Sequence, residues 1–415
     1  MNDEFYGGLD FSYDKAQLSI INSQKKLIYK CSNLYKDNLL KPQSWLNSFE
    51  EILMEIPYFI KANLSRLSIS GTSGTLLACG YDGGCIGNAI SLSDIYSDTN
   101  KNLSFLNKKG FFLQSPYSSF SKALKLIELY GEDILLRHQS DWISGWILND
   151  WTFGDDCNNT KLGWDINSGS WLDTLDKTSW KKKLPLIIKT GEYLGEIHNP
   201  IAKRFKINEN LILISGTTNS NASMVGMETN YEDGLTIMGE TTNLKKYLNK
   251  PSLPKETTIS RFNGDWLCSR ELNISYMSML KIFSDEQIEE LSRQINPRKR
   301  TNINIFKSDS KIIETGTIDT LFEKKILEKR PVSDALFLHA FMEGLAKIEL
   351  NGWEEIKKIT GSLPKKIFTI GKGSQNSQFR SIREKVIKIP IINCDENPSY
   401  GSALIALNAN LKKIL

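Results

Sequence analysis

The chain has 415 residues, too long for one hydrophobic core, so two domains are expected. Its 52 Lys and Arg against 48 Asp and Glu give a net charge of +4 with the signs interspersed, which leaves no basic stripe for nucleic acid. No apolar run approaches the roughly 18 residues of a membrane span, and the acidic start MNDEFYGG lacks the apolar stretch of a signal peptide, so the cytoplasm is the expected compartment.

Gly8 to Asn22 reads as strand, tight turn and strand, and Leu27 to Tyr29 completes an antiparallel meander. Asp10 closes the first strand. From the residues alone it is a cap for the next turn or a metal or substrate ligand, with the cap favoured. Pro42 to Ile60 carries helical apolar spacing at Trp45, Phe49, Ile52, Leu53 and Ile56, ending at Pro57. A strand at Leu67 to Ser70 leads into Gly71-Thr72-Ser73-Gly74-Thr75, and such junctions collect ligand contacts in open sheets. Asp82-Gly83-Gly84 signals a hairpin. Helices follow at Ser118 to Tyr130 and about Ser140 to Leu148, with Trp142, Trp146 and Trp151 read as core. Asp155 to Asp165 reads as a polar loop, and Trp180 to Gly195 as helical with Pro185 marking its true start.

Leu211 to Ile214 is a buried strand entering a Gly216-Thr217-Thr218 turn, with Asn219 at the tip and a small-residue helix after it. Such a turn aims N–H groups and hydroxyls at a ligand. Gly234 to Gly239 is a strand ending in Gly239-Glu240-Thr241-Thr242, and Asn263-Gly264 marks a hairpin. Ser284 to Ile295 is a helix with a capping box from Ser284 to Gln287, stopped by Pro297. Residues 298–330 are polar and weakly patterned. Ser333 caps a buried helix from Asp334 to about Leu350. After a strand at Ile367 to Ile370 comes GKGSQNSQF, where Gly371 and Gly373 let backbone approach a ligand. A helix follows at Arg380 to Lys385, and Pro398 starts the last one. His138, His198 and His339 sit in helical context and read as packing or surface residues. The six cysteines form no C-x-x-C pair and read as reduced, small apolar residues.

A strand followed by a Gly/Ser/Thr turn recurs at Asp10, Gly71, Gly216, Gly239 and Gly371. No P-loop or dinucleotide fingerprint is present. Over nearly the whole chain this pattern resembles the FGGY family of carbohydrate kinases, closest to the short D-ribulose or xylulose kinases of cyanobacteria and plant plastids. The first half carries the resemblance in GLDF, SGTSGT, HQSDWISG, NNTKLGWD and SGTTNSNAS. The second half adds FSDEQIEELSRQINP, FLHAFMEGLAKIE, GKGSQN and SYGSALIAL. The resemblance implies an α/β fold of two ribonuclease-H-like, actin-like ATPase domains with a cleft between them. Residues 1–228 would be the sugar-binding domain and 229–415 the ATP-binding domain. It implies ATP-dependent phosphorylation of a pentulose hydroxyl, with ATP and Mg²⁺ as cofactors. Sugar and nucleotide would be the partners, with no nucleic acid or membrane.

On the same resemblance Asp10 is the acid near Mg²⁺ and the sugar, and Thr72 and Ser73 form the sugar-binding turn. Ser12, Tyr13 and Gly216 would meet ATP at one side, and Gly239 and Thr241 form the second phosphate turn. Gly371, Gly373, Ser374 and Asn376 match the adenosine loop, and Phe379 falls where a ring can stack on adenine.

The departures from the family concentrate at the chemistry. The first phosphate turn has Ser12 for its Gly and Tyr13 for its small hydroxyl residue, and Asp14 brings negative charge to a polyphosphate site. Glu240 does the same in the second turn, with Lys15 and Lys372 placed to offset part of it. The family's Gly-Thr-Thr-Asp, whose Asp is the general base, here ends in Asn219. An amide cannot take the substrate's proton. That assistance is worth about 10²–10⁴-fold, in a reaction governed mainly by positioning and electrostatics. Two readings stand. One is a kinase-fold protein with lost or strongly reduced transfer, a pseudokinase or regulatory binding module. The other is an active pentulose kinase using Asp10, Asp14 or the substrate itself as base. An actin-like or chaperone-like ATPase is opposed by the family-specific C-terminal helices.

Overall fold

A computed structural model describes residues 4–12, 14–37, 40–91, 94, 96, 113, 118–239, 241–250, 258–262, 265–272, 274–306, 326, 330–395 and 397–412. Two compact units divide the chain: 1–228 with 260–264 and 397–415, and 229–259 with 265–396.

The first unit's main sheet runs in the order Tyr193–Glu196, Ile212–Thr218, Leu64–Gly71, Phe5–Phe11, Lys15–Ile21, Leu27–Leu34. Phe5–Phe11 pairs antiparallel with Lys15–Ile21 and parallel with Leu64–Gly71. It is buried at every position, as a central strand covered on both faces must be. Alternation sorts its side chains. Phe5, Leu9 and Phe11 join Trp45 and Phe49 of helix Pro42–Glu55, with Phe11 and Phe49 edge to face at 6.1 Å. Tyr6 packs with Ala403 and Leu404 of the last helix, Pro398–Leu407. Gly8 lies on that second face, where a Cβ would stand 2.0 Å from Ala403 N and from Ser399 O. The final helix therefore rests on bare backbone. Gly8→Ala is expected to cost about 3 kcal/mol, the upper end of ordinary overpacking, read as lost hydrogen-exchange protection in the first unit.

A smaller sheet of Leu76–Cys79, Cys85–Ile90 and Leu135–His138 shares a separate apolar cluster with helix Ser119–Tyr130. Its hairpin turns at Asp82-Gly83-Gly84, with Gly83 at φ 78°.

The second unit's sheet runs Asp265–Leu272, Thr242–Leu248, Asp233–Met238, Lys366–Gly371, Ile391–Asn393. Its plan repeats the first. Asp233–Met238 is antiparallel to the next strand and parallel to Lys366–Gly371. The registers correspond, Phe11 facing Gly71 in one sheet and Met238 facing Gly371 in the other. The turns expected to meet phosphate thus occupy equivalent places in two repeats. Helix Asp334–Thr360 fills the core with Phe337, Phe341 and Trp353.

Several elements differ from their sequence reading. The Pro42 helix ends at Glu55, and Pro57 opens a separate turn of helix, Tyr58–Ala62. Trp180 to Gly195 is not helical. It holds the 3₁₀ turn Ser179–Lys183 and the strands Leu186–Ile188 and Tyr193–Glu196, because Pro185 lacks a donor and Gly191 takes φ 85°. The buried strand does not stop at Ile214 but runs to Thr218. Gly216 makes this possible, since a Cβ there would lie 1.7 Å from Ile69 O. The Asp334 helix passes Leu350 because Gly352 is a packing point, not a stop. Its Cβ would meet Leu244 Cδ1 at 2.6 Å, and Gly361 at φ 82° supplies the true cap. The capping box at Ser284 is present, with Gln287 N donating to Ser284 Oγ at 3.2 Å and Ser284 N to Gln287 Oε1 at 2.9 Å. Asn263 and Gly264 lie outside the described residues, as do most of 298–330. Among the described residues no helix is long and apolar enough to cross a membrane.

Candidate functional site

Three strands of the first unit end abreast. Asp10 faces Ser70 and Phe11 faces Gly71 across one pair, and Thr217 and Thr218 face the same two residues across the other. This register brings Asp10, the 71–75 turn and Asn219 to one end of the sheet.

Asp10 is fully buried. Its Oδ1 accepts from Ser70 Oγ at 2.7 Å and its Oδ2 from Ser12 Oγ. Ser402 Oγ of the last helix donates to Ser70 Oγ at 2.9 Å. The turn beyond is closed by Ser12 N donating to Lys15 O at 2.9 Å. Tyr35 braces it, its hydroxyl donating to Ser12 O at 3.1 Å and its N–H to Asp14 O at 3.0 Å. Burial, then the charges of Asp10 and Asp14, push the Tyr35 hydroxyl well above its ordinary range. Asp14 is exposed, and Tyr13 lies outside the described residues.

Thr72 is half-buried and held by Gln139. Gln139 Oε1 accepts from Thr72 N at 2.9 Å and lies 2.8 Å from Thr72 Oγ1. Ser73 is half-buried beside Gly74, which takes φ 77° and whose carbonyl accepts from buried Lys122 at 2.9 Å. Gln139 was not a predicted site residue; the HQS junction gave no hint that its amide turns back to the first turn.

Asn219 opens helix Asn219–Gly226, capped by Thr218, whose Oγ1 accepts from Asn221 N at 3.3 Å. Its side chain is half-buried and hydrogen-bonds to none of the described residues. The tip residue therefore points nowhere within the unit's own network, whereas Asn221 is tied to Thr217 Oγ1 at 3.2 Å and Ser260 Oγ at 3.0 Å.

Behind this strand lies a group that sequence reasoning missed. Asp155 to Asp165 is not a loop but strand Phe153–Asp155, helix Asp156–Asn159, a 3₁₀ turn and strand Trp164–Asp165. Asp155, Asp156, Asn158 and Asn159 are buried, together with Asp141 and His138. Asp141 Oδ1 accepts from Asp155 N at 2.8 Å and its Oδ2 from Asn159 Nδ2 at 2.9 Å. Burial raises the carboxyls of Asp141 to about 6, Asp155 to about 7 and Asp156 to about 6, with a neighbouring carboxylate adding to the last two. Burial holds the His138 imidazole down at about 4, hence neutral. A run of polar residues resembles a loop in composition. Only the distant partners Asp141 and Thr190 reveal an inward-facing core.

In the second unit Gly239 N donates to Thr241 O at 3.0 Å, and Thr241 Oγ1 to Glu271 Oε1 at 3.1 Å. Glu240 lies outside the described residues. The glycines of the 371–376 loop make room for protein. A Cβ on Gly371, at φ 90°, would meet Met238 O at 2.3 Å, and one on Gly373 would meet Tyr276 Cβ at 2.6 Å. Ser374 Oγ donates to Gly371 O at 2.7 Å. Asn376 caps helix Ser377–Ile387 and donates to Ser292 Oγ at 2.9 Å. Lys372 pairs with Asp285 at 2.5 Å, so its charge is committed there. Phe379 corrects the expectation of adenine stacking. It is 2% exposed, with Tyr276 at 6.0 Å and the Arg383 guanidinium at 5.7 Å from its ring, so no face is open.

No family model matches the sequence. Solved structures do resemble the fold. A xylulose kinase from Brucella ovis is 15% identical, with TM-score 0.78 over 97% of this chain and 90% of its own. A gluconate kinase from Lactobacillus acidophilus is 13% identical, with TM-score 0.75 over 97% and 89%. Plasmodium falciparum glycerol kinase, solved with ADP, is 13% identical, with TM-score 0.75 over 97% and 89%. At such identities the likeness establishes the fold, an α/β chain of two actin-like ATPase domains as in FGGY-type sugar kinases.

Proposed function

We propose that this protein is a carbohydrate kinase of the FGGY type that binds a pentulose of the D-ribulose kind on its first unit and ATP on its second. It transfers phosphoryl slowly. The observation that carries the reading is the placing of Asn219, a neutral amide at the N-terminus of a helix, level with Asp10 and the Thr72 turn. Asp10 suits Mg²⁺ by its donor chemistry, since Mg²⁺ takes one or two carboxylates with phosphates and water. Ser12 and Ser70 hydroxyls orient that carboxylate. The Mg²⁺ would clamp the phosphate oxygens, while Thr72 and Ser73 orient the sugar. With an ordinary turnover of about 10 s⁻¹ and a base worth about 10²–10⁴-fold, kcat falls to about 0.1 s⁻¹ or below.

A second reading, sugar binding without nucleotide turnover, is favoured by the 371–376 loop, whose glycine spaces are filled by Met238 and Tyr276. One pair of measurements separates the two. Calorimetry with D-ribulose and with Mg²⁺·ATP, followed by a phosphorylation assay over a pentulose panel, is expected to show both ligands binding and slow turnover. Sugar binding without ATP binding would support the second reading. Turnover at an ordinary rate would sink the claim that Asn219 limits transfer.

A further inference from the structure

Asp155, Asp156 and Cys157 lie in the first unit, and each offers a ligand atom within 4.8 Å of the other two. All are buried. The hydrogen bonds described for the two carboxylates come from neutral groups. Asp155 is served by neutral donors only: Asn158 N at 2.7 Å, Asn158 Nδ2 at 2.8 Å and Ser140 Oγ at 3.2 Å. Asp156 Oδ1 accepts from Thr190 N at 3.1 Å and lies 2.9 Å from Thr190 Oγ1. Asp156 Oδ2 and Asn158 Oδ1 are fully buried and meet no donor. The Asn158 amide donates Nδ2 to Asp155 Oδ2 at 2.8 Å, and Cys157 Sγ lies 3.3 Å from Thr190 Oγ1. Arg137 gives its guanidinium to the carbonyls of Trp151, Leu136 and Lys183. Buried acceptors and charges left unmatched cost several kcal/mol, and both unmatched atoms call for an electrophile.

We propose that Asp155, Asp156, Cys157 and Asn158 Oδ1 hold a divalent first-row transition-metal ion of the zinc or manganese type, as a closed structural site. Four protein donors with no open position describe a structural centre, and the mixed oxygen–sulfur set selects a borderline ion over Mg²⁺ or Ca²⁺. Binding forms the metal–sulfur bond as the Cys157 thiol releases its proton to solvent, with no change of oxidation state. The site differs from any Mg²⁺ held by Asp10. Its effect travels through Thr190, whose Oγ1 also lies 2.7 Å from Gly216 O in the strand leading to Asn219.

The test uses tag-free full-length protein, exposed to Zn²⁺ or Mn²⁺ and then dialysed. Elemental analysis is expected to find about one equivalent of the ion, both in the wild type and in Asp10→Asn. Asp156→Asn and Cys157→Ser are each expected to lose at least tenfold in affinity, a loss already seen for outer-shell changes at metal sites. Cys157→Ser keeps the shape of the site and carries the test where Asp156→Asn fails to fold. Co²⁺-loaded protein gives a near-ultraviolet thiolate charge-transfer band that disappears in Cys157→Ser. Stoichiometric uptake that survives Asp10→Asn and fails in Cys157→Ser establishes the site. Wild-type protein that retains no Zn²⁺ or Mn²⁺ after this exposure and dialysis overturns it and leaves protons as the neutralising charge.

Discussion

On the proposed function, Asn219→Asp is expected to raise the rate of ATP-dependent pentulose phosphorylation by about 10²–10⁴-fold with little change in the sugar's KM. The substitution alters one atom group at the first position of helix Asn219–Gly226 and leaves its Thr218 cap in place. The side chain makes no hydrogen bond to the described residues that the carboxylate would forfeit. A negative charge at a helix N-terminus is moreover favoured by about 0.3–1 kcal/mol, so the fold tolerates it. A general base acts in the transition state, which is why kcat moves and KM does not. Base catalysis also adds an acid limb to the pH–rate profile, absent from the wild type. Asn219→Ser, which restores no base, serves as the control. Equal rates in wild type and Asn219→Asp would locate the defect in the phosphate turns.

Arg383→Ala is expected to destabilise the second unit by about 3–5 kcal/mol, the cost of stranding one partner of a buried pair. Arg383 and Glu349 are both buried, and the pairing is two-pronged: Nε to Oε2 and Nη2 to Oε1, each at 2.7 Å. Nη1 also donates to Thr369 Oγ1 at 3.2 Å, and Thr236 Oγ1 donates to Glu349 Oε1 at 2.7 Å. One cluster thus joins helix Asp334–Thr360, helix Ser377–Ile387 and two parallel strands. Removing the guanidinium leaves the Glu349 carboxylate without its counter-charge. Replacing both residues by apolar ones of similar volume is expected to cost far less. Because the chain has two units, hydrogen exchange on the second unit is the appropriate measure, since a single unfolding midpoint is ill defined. An Arg383→Ala protein with unchanged exchange protection would refute the assignment.

What the sequence made legible were features with local causes. The meander at Gly8 to Tyr29, the Asp82-Gly83-Gly84 hairpin and the Ser284 capping box each follow from period or turn chemistry within a few residues. The convergence of Asp10, Thr72 and Asn219 was reachable by resemblance, and the strand register supplies its physical basis. The parts that were not legible depend on distance. Gln139 serves Thr72 across a span of sixty-seven positions, and Arg383 reaches Glu349 across thirty-four. Gly216 and Gly373 read as turn or ligand glycines, yet each accommodates another part of the protein. A missing side chain does not declare what fills its place.

The last helix carries a consequence for biogenesis. Tyr6, Gly8 and Ile21 are covered by a segment that lies beyond the entire second unit in the chain. During synthesis this apolar face emerges early and waits for about the whole length of the polypeptide. At roughly 5–20 residues per second that interval lasts on the order of tens of seconds. The nascent chain therefore exposes an open sheet face through most of translation, a natural substrate for a holding chaperone. The first unit closes only after Pro398–Leu407 leaves the ribosome.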